Sequence, residues 1–382
     1  MRSYELLVRA ALPRLSNRRA AIRHLTPVSR SRPSRAHAFL TVAWAAVCTV
    51  GSGACAGARR GLTPGAASLQ IAPVPTASVP HGHVVTNTVW SPALGVRKQF
   101  VVYLPPSYDH DPARRYPVAY YLHGLGENEW DWVRRGGLAI VADSLAARGA
   151  GEAIVVMPDG DDGWYTTWNA LGNYNACRRD TTREEPAASY CVPWPHYDDY
   201  IAHDLVARID SLYRTRADAV HRAVAGFSMG GYGAVTLALR YPDVFGAAVS
   251  HSGVLSPLYV GPTPYAPPAR YASRADDFHR LWSAASLTRQ LAFGSDTAGW
   301  WARDPGRLAA WLQRTDPARL PALYADVGRD DPLADENRAF RDQLGAIGVP
   351  LAYHEWLGGH TWTYWRAHVS DGLAWLLARF PR

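Results

Sequence analysis

The stretch that most restricts the architecture is Ala223 to Leu239, "AVAGFSMGGYGAVTLAL", in which one serine stands among four glycines directly after a short apolar run. The residues before it read as a buried strand and those after it as an apolar helix. Gly226-Phe227-Ser228-Met229-Gly230 therefore occupies a strand-to-helix corner. A corner this sharp holds its central residue in a strained conformation at the carboxyl end of the strand, and small flanking residues keep it free of clashes. The N–H groups of the new helix point at the space before Ser228 Oγ, where negative charge would develop. A chain with such a corner is built around strands that feed helices.

The remainder agrees. "HVVTNTVW" and "KQFVVYLP" read as an antiparallel pair joined by a turn at residues 91–95. From "YPVAYYLHG" onward, strands ("EAIVVMPDG", "HRAVAGFS", "FGAAVSHSG", "LYADVG", "PLAYHEW") alternate with helical stretches, the last running from about Thr361 to Arg379. Alternation of this kind predicts an α/β fold with a mostly parallel central sheet and helices on both faces. Residues 256–320, rich in Pro, Tyr and Trp, interrupt the alternation and are expected over one edge of the sheet.

Charge argues against a nucleic-acid partner. The formal charge is +7, but residues 1–58 hold nine of the 40 Lys and Arg and one of the 33 Asp and Glu, leaving 31 basic against 32 acidic residues elsewhere. The basicity belongs to the N-terminus. There, Arg-rich sequence leads into the apolar segment Ala36 to Val50 and small residues ending Ala54-Cys55-Ala56 or Ala56-Gly57-Ala58, the pattern of an export signal. The segment is shorter than the roughly 20 residues that span a bilayer, so no transmembrane span is expected in the mature protein. Cys55 is a weak candidate for lipid anchoring. Residues 59–80 read as a Pro/Ala-rich linker and residues 81–382 as the folded domain.

Of the four cysteines, Cys48 and Cys55 fall in or near the leader. Cys177 and Cys191 remain, bracketing "RRDTTREEPAASY", and in an exported protein they are expected to pair, with two free thiols as the alternative. Metal binding by two cysteines without neighbouring histidines is a poorer reading.

A serine nucleophile needs a base and a group to orient it. Behind a corner of this type the order along the chain is Ser, then Asp or Glu, then His. "LYADVGRDDPLADEN" offers Asp330 and Asp331 on the loop at the end of a strand. Asp331, three residues past Gly328, is the chosen orienter; Asp330 is the alternative, and Asp331 could also serve as a helix cap before Pro332. His360, after Gly358-Gly359, is the expected base, whereas His354 and His368 fall inside regular elements. Met229 and Leu125 N–H groups are the expected oxyanion donors, the latter on the loop after "AYYLHG". His123 and His251 read as structural. "DGDDGWYTTW" follows a strand end, so Trp164, Tyr165 and Trp168 are expected to line the cleft, with packing of loops as the competing use of those rings.

With Leu122-His123-Gly124-Leu125-Gly126, Gly226-Phe227-Ser228-Met229-Gly230-Gly231, Gly328-Arg329-Asp330-Asp331 and Gly358-Gly359-His360 in order, the sequence resembles the Putative esterase family from about His81 to Phe380. That family contains S-formylglutathione hydrolases of the esterase D type, feruloyl and acetylxylan esterases, and mycolyltransferases. The resemblance implies an α/β-hydrolase fold, no metal or organic cofactor, and a Ser228–His360–Asp331 mechanism. The chain departs from the family in the insert around 177–191 and in the aromatic segment 256–320, so specificity is the part left open. The expected activity is that of an exported carboxylesterase acting on a small-molecule or carbohydrate ester, possible targets being acylated sugars or phenolic esters. The rivals are an acyltransferase of the mycolyltransferase type and a non-catalytic binding protein on the same fold.

Overall fold

The computed structural model of the protein describes residues 81–179, 186–274, 277 and 287–381. The expected leader with Cys48 and Cys55, and the linker, lie outside the described residues. Strands β1 (His83–Ser91) and β2 (Val96–Leu104) form an antiparallel hairpin in which Ser91 pairs with Val96. Gly95 closes the turn at φ +71°, a left-handed conformation that favours glycine, and its N–H donates to Ser91 O at 2.8 Å.

The hairpin is the antiparallel margin of an eight-stranded sheet of order β1-β2-β4-β3-β5-β6-β9-β10. Strands β3 (Val118–Leu122), β4 (Ile154–Pro158), β5 (Arg222–Phe227), β6 (Ala247–His251), β9 (Ala322–Gly328) and β10 (Ala352–Trp356) run parallel. Every residue of β3 to β6 is buried. This is why these strands read as unbroken apolar runs: helices cover both faces.

On one face lie α1 (Leu138–Ala147) and α6 (Trp362–Leu377), which contribute Leu138, Val369 and Leu373 to a core with Tyr121, Trp132 and Val249. The other face carries α2 (Val206–Leu212), α3 (Met229–Arg240), α4 (Pro305–Thr315) and α5 (Ala334–Ala346), whose Ile209, Leu237, Leu312 and Phe340 join Val224 and Ala248. Because β4 lies on one side of β3 and β5 on the other, the winding direction changes between β3 and β5. Their carboxyl ends open onto a crevice where open α/β sheets receive ligands.

The segment 256–320 departs from the expectation of an edge cover. It holds a small two-stranded sheet of β7 (Tyr259–Gly261) and β8 (Arg270–Tyr271), and α4. Buried Trp300 and Phe293 pack into the core that α3 shares, and Tyr232 of α3 donates its hydroxyl to Arg303 O at 2.8 Å. Phe293 and Trp300 thus help to cover α3.

Candidate active site

Ser228, between β5 and α3, takes φ 53° and ψ −119°, outside the regions open to most side chains. Two backbone bonds hold it there: Ser228 N–H donates to His251 O at 3.0 Å, and Tyr232 N–H donates to Ser228 O at 3.1 Å. The corner also requires backbones to approach closely. A Cβ on Gly230 would sit 2.4 Å from Leu122 O and 2.6 Å from His123 O. The glycines thus let α3 start directly against the loop that follows β3.

His360 stands on the loop between β10 and α6. Gly358 takes φ +129° there, and its carbonyl receives the Asp330 N–H at 2.9 Å, which ties this loop to the one after β9. His360 Nε2 lies 2.9 Å from Ser228 Oγ, and its Nδ1 lies 3.0 and 3.1 Å from the two carboxylate oxygens of Asp331. A carboxylate at Nδ1 fixes the proton on that nitrogen and leaves Nε2 as the acceptor for the serine hydroxyl. The Trp365 ring, edge-on at 5.0 Å, walls the imidazole.

Asp331 is buried and also accepts the Leu333 N–H at 2.8 Å, so it both reaches the imidazole and caps the turn before α5. Asp330, the alternative, faces solvent. His354 and His368 stack on either side of Trp356, away from Ser228. His251 is fully buried with Nδ1 2.6 Å from Asp326, beneath the corner.

Leu125 is exposed on the loop after β3 and Met229 opens α3. Among the described residues, neither main-chain N–H has a hydrogen-bond acceptor. The loop is fixed from below: Gly126, at φ +74°, donates its N–H to Asp162 Oδ1 at 2.6 Å. Buried His123 donates from Nδ1 to Gly124 O at 2.8 Å and accepts Gly160 N–H on Nε2 at 2.9 Å, bonds that suit a neutral ring. Burial lowers its pKa and keeps it so.

Two expected cleft residues are elsewhere. Trp164 and Tyr165 are 2% and 0% exposed, too enclosed to meet a substrate. Trp164 sets its ring against Tyr232 and Phe293, and Tyr165 donates its hydroxyl to His123 O at 3.2 Å. Both adopt positive φ, 56° and 48°, which turns them under the corner. Trp168 alone of the three lines a cavity. Cys177 and Cys191 form a disulfide with S–S 2.06 Å.

Several residues near the site carry weaker sequence signals. Lys98 is wholly buried between Asp159 and Asp161, its Nζ 2.9 Å from Asp161 Oδ1, and Tyr197 donates to Asp161 Oδ2 at 3.0 Å. Burial opposes its charge, but the two carboxylates outweigh that cost and raise its pKa. Burial together with the Asp159 charge raises Asp161 to about 7, against the pull of Lys98. The alternation of β2 did place Lys98 on its inward side with Val96 and Phe100, so this cation could have been found. Glu127, two residues past Leu125, accepts the Trp362 indole N–H at 2.8 Å and an Arg135 N–H at 3.0 Å. No spacing rule marks Glu127.

A family profile described as "Putative esterase" matches residues 91–376. A curated "Endo-1,4-beta-xylanase/feruloyl esterase" of Xylanibacter ruminicola is 33% identical over 170 residues, 44% of this chain and 21% of that one. An "Acetyl esterase" of Caldicellulosiruptor saccharolyticus is 25% identical over 263 residues, 67% of this chain and 82% of that one. Thus the match spans about a fifth of the first relative and most of the second. Among solved structures, a ferulic acid esterase superposes with TM-score 0.57 and 27% identity over 79% of this chain and 99% of that one.

Proposed function

The chain belongs to the Putative esterase family and is a carboxylic ester hydrolase of α/β-hydrolase fold; from this premise we propose that it works through an acyl-enzyme on Ser228. The observation that carries the reading is the relay of contacts from Ser228 Oγ to His360 Nε2 at 2.9 Å and from His360 Nδ1 to Asp331 at 3.0 Å. Ser228 Oγ bonds to the ester carbonyl carbon as His360 takes its proton, and Asp331 stabilises the imidazolium. Leu125 and Met229 N–H groups receive the oxyanion; losing one such donor typically costs about 3 kcal/mol. Collapse breaks the bond to the alcohol, which leaves with the proton from His360. Water, deprotonated by the same imidazole, then releases the acid.

The mature protein is read as exported. The basic, apolar leader supports this, and so does the disulfide, which persists in oxidising compartments. Acylated carbohydrate or phenolic esters are the proposed substrates, in keeping with the names of the relatives.

The test is hydrolysis of p-nitrophenyl esters, methyl ferulate and acetylated xylan, with labelling by a fluorophosphonate, for wild type and Ser228→Ala. Turnover and label that both vanish in Ser228→Ala are expected. Turnover retained in that variant would overturn the reading, and diversion of product into new esters on adding alcohols would move it to a transferase.

A further inference from the structure

A cavity of about 400 Å³ opens at the carboxyl end of β4, within the range of small-molecule sites. Trp168, Tyr174, Tyr190, Val192, Pro193 and Leu291 line it. Part of its wall comes from Tyr174, Ala176 and Cys177, and Cys177, itself in the lining, is bonded to Cys191 between Tyr190 and Val192. The disulfide therefore joins two stretches of one wall. The polar lining is Asp161, Asp162 and Asn173; no Lys, Arg or His lines it among the described residues. An anionic ligand would find no cation in the lining.

The cavity is joined to the candidate site through Asp162, which lines it and accepts the N–H of Gly126, the neighbour of Leu125. Sheet order decides which half of an ester it faces. β4 lies on one side of β3 and β5, whereas His360 follows β10 at the other margin. The alcohol takes its proton from His360 and so leaves on that side, and the carbonyl oxygen points at Leu125 and Met229. The side toward β4 is then left open to the remaining substituent of the carbonyl carbon.

We propose that this cavity is the acyl subsite, that it receives an uncharged apolar acyl group larger than acetyl, and that the Cys177–Cys191 bridge holds its wall in place. The proposal rests on the Ser228 acyl-enzyme reading. An apolar chain would displace water from aromatic and aliphatic surface there, a gain that grows with each methylene buried.

The experiment compares kcat/KM for p-nitrophenyl octanoate and p-nitrophenyl acetate, so that the leaving group is constant. The octanoate-to-acetate ratio is expected to exceed one in wild type. It should fall about tenfold in Ala176→Trp, whose ring would fill the cavity from its exposed wall. It should fall also in Cys177→Ser/Cys191→Ser and in Leu171→Asp, a change at the exposed rim that serves if the others fold poorly. Fluorophosphonate labelling of Ser228 is read in the same samples. Labelling with a ratio below one in wild type, or unchanged in folded Ala176→Trp and Leu171→Asp, overturns the subsite alone. No labelling in wild type removes the acyl-enzyme and the subsite together.

Discussion

Glu127 accepts the Trp362 indole N–H at 2.8 Å, which joins the loop after β3 to the first turn of α6, two residues beyond His360. Trp362 also meets Trp132, Phe227 and Trp365 edge-on, and the Trp365 edge rests against the imidazole. One carboxyl thus connects the oxyanion loop to the wall behind the base.

Burial raises the Glu127 carboxyl from 4.5 to about 7; Asp131 adds to this while the Trp362 hydrogen bond and Arg135 oppose it. The folded chain then binds this proton more tightly than the unfolded chain. The resulting destabilisation is absent below about pH 4.5, grows as the pH rises toward 7 and is complete above it. Glu127→Gln, which keeps an oxygen for Trp362, is expected to raise Tm relative to wild type more at pH 8 than at pH 4. Equal differences at the two pH values would refute the raised carboxyl.

Asp331→Asn and Asp330→Asn separate the two neighbouring acids. The buried carboxylate of Asp331 holds the imidazole tautomer, and its amide is expected to lower kcat by about 10⁴, the scale seen for this change in a serine protease. Asp330, exposed and bonded only through its backbone to Gly358, should leave kcat near wild type. A larger loss in Asp330→Asn would exchange their roles.

Lys98→Met leaves Asp159 and Asp161 buried without their cation. Breaking a buried ion pair from one side costs about 3–5 kcal/mol. Urea unfolding should show a loss of that order, partly recovered when Asp161→Asn is added. Because Asp162 beside this pair holds Gly126, kcat should fall with little change in KM. An additive double variant would show that the charges do not interact.

Gly230→Ala and Gly345→Ala form a contrast at two helical glycines. The new Cβ of the first would meet Leu122 O at 2.4 Å, and overpacking of this kind costs about 1–3 kcal/mol. The second, in α5, has open space within 4 Å and should gain roughly 0.5–1 kcal/mol from helix propensity. Midpoints of urea denaturation moving in opposite directions are expected.

Much of the architecture was legible because its signals are local. A strand buried on both faces must be apolar throughout, as Val118–Leu122 and Arg222–Phe227 largely are, and a backbone crossing as close as Gly230 on Leu122 admits no side chain. Trp164 and Tyr165 were misread for a matching reason. Their sequence position at the end of β4 is the same whether the rings face a cleft or fold beneath the corner, and only the positive φ at both decides.

The sequence by itself determined the parallel sheet, the strained corner at Ser228 and the chain order of serine, acid and histidine, because each follows from residue type and spacing along the backbone. Tertiary structure alone decided that Lys98 pairs with two buried aspartates 61 and 63 residues away, and that residues on either side of the Cys177–Cys191 bridge wall a cavity whose Asp162 holds Gly126. Those relationships depend on distances between strands remote in sequence. They exist only once the sheet has brought the carboxyl ends of β3, β4, β5, β9 and β10 side by side.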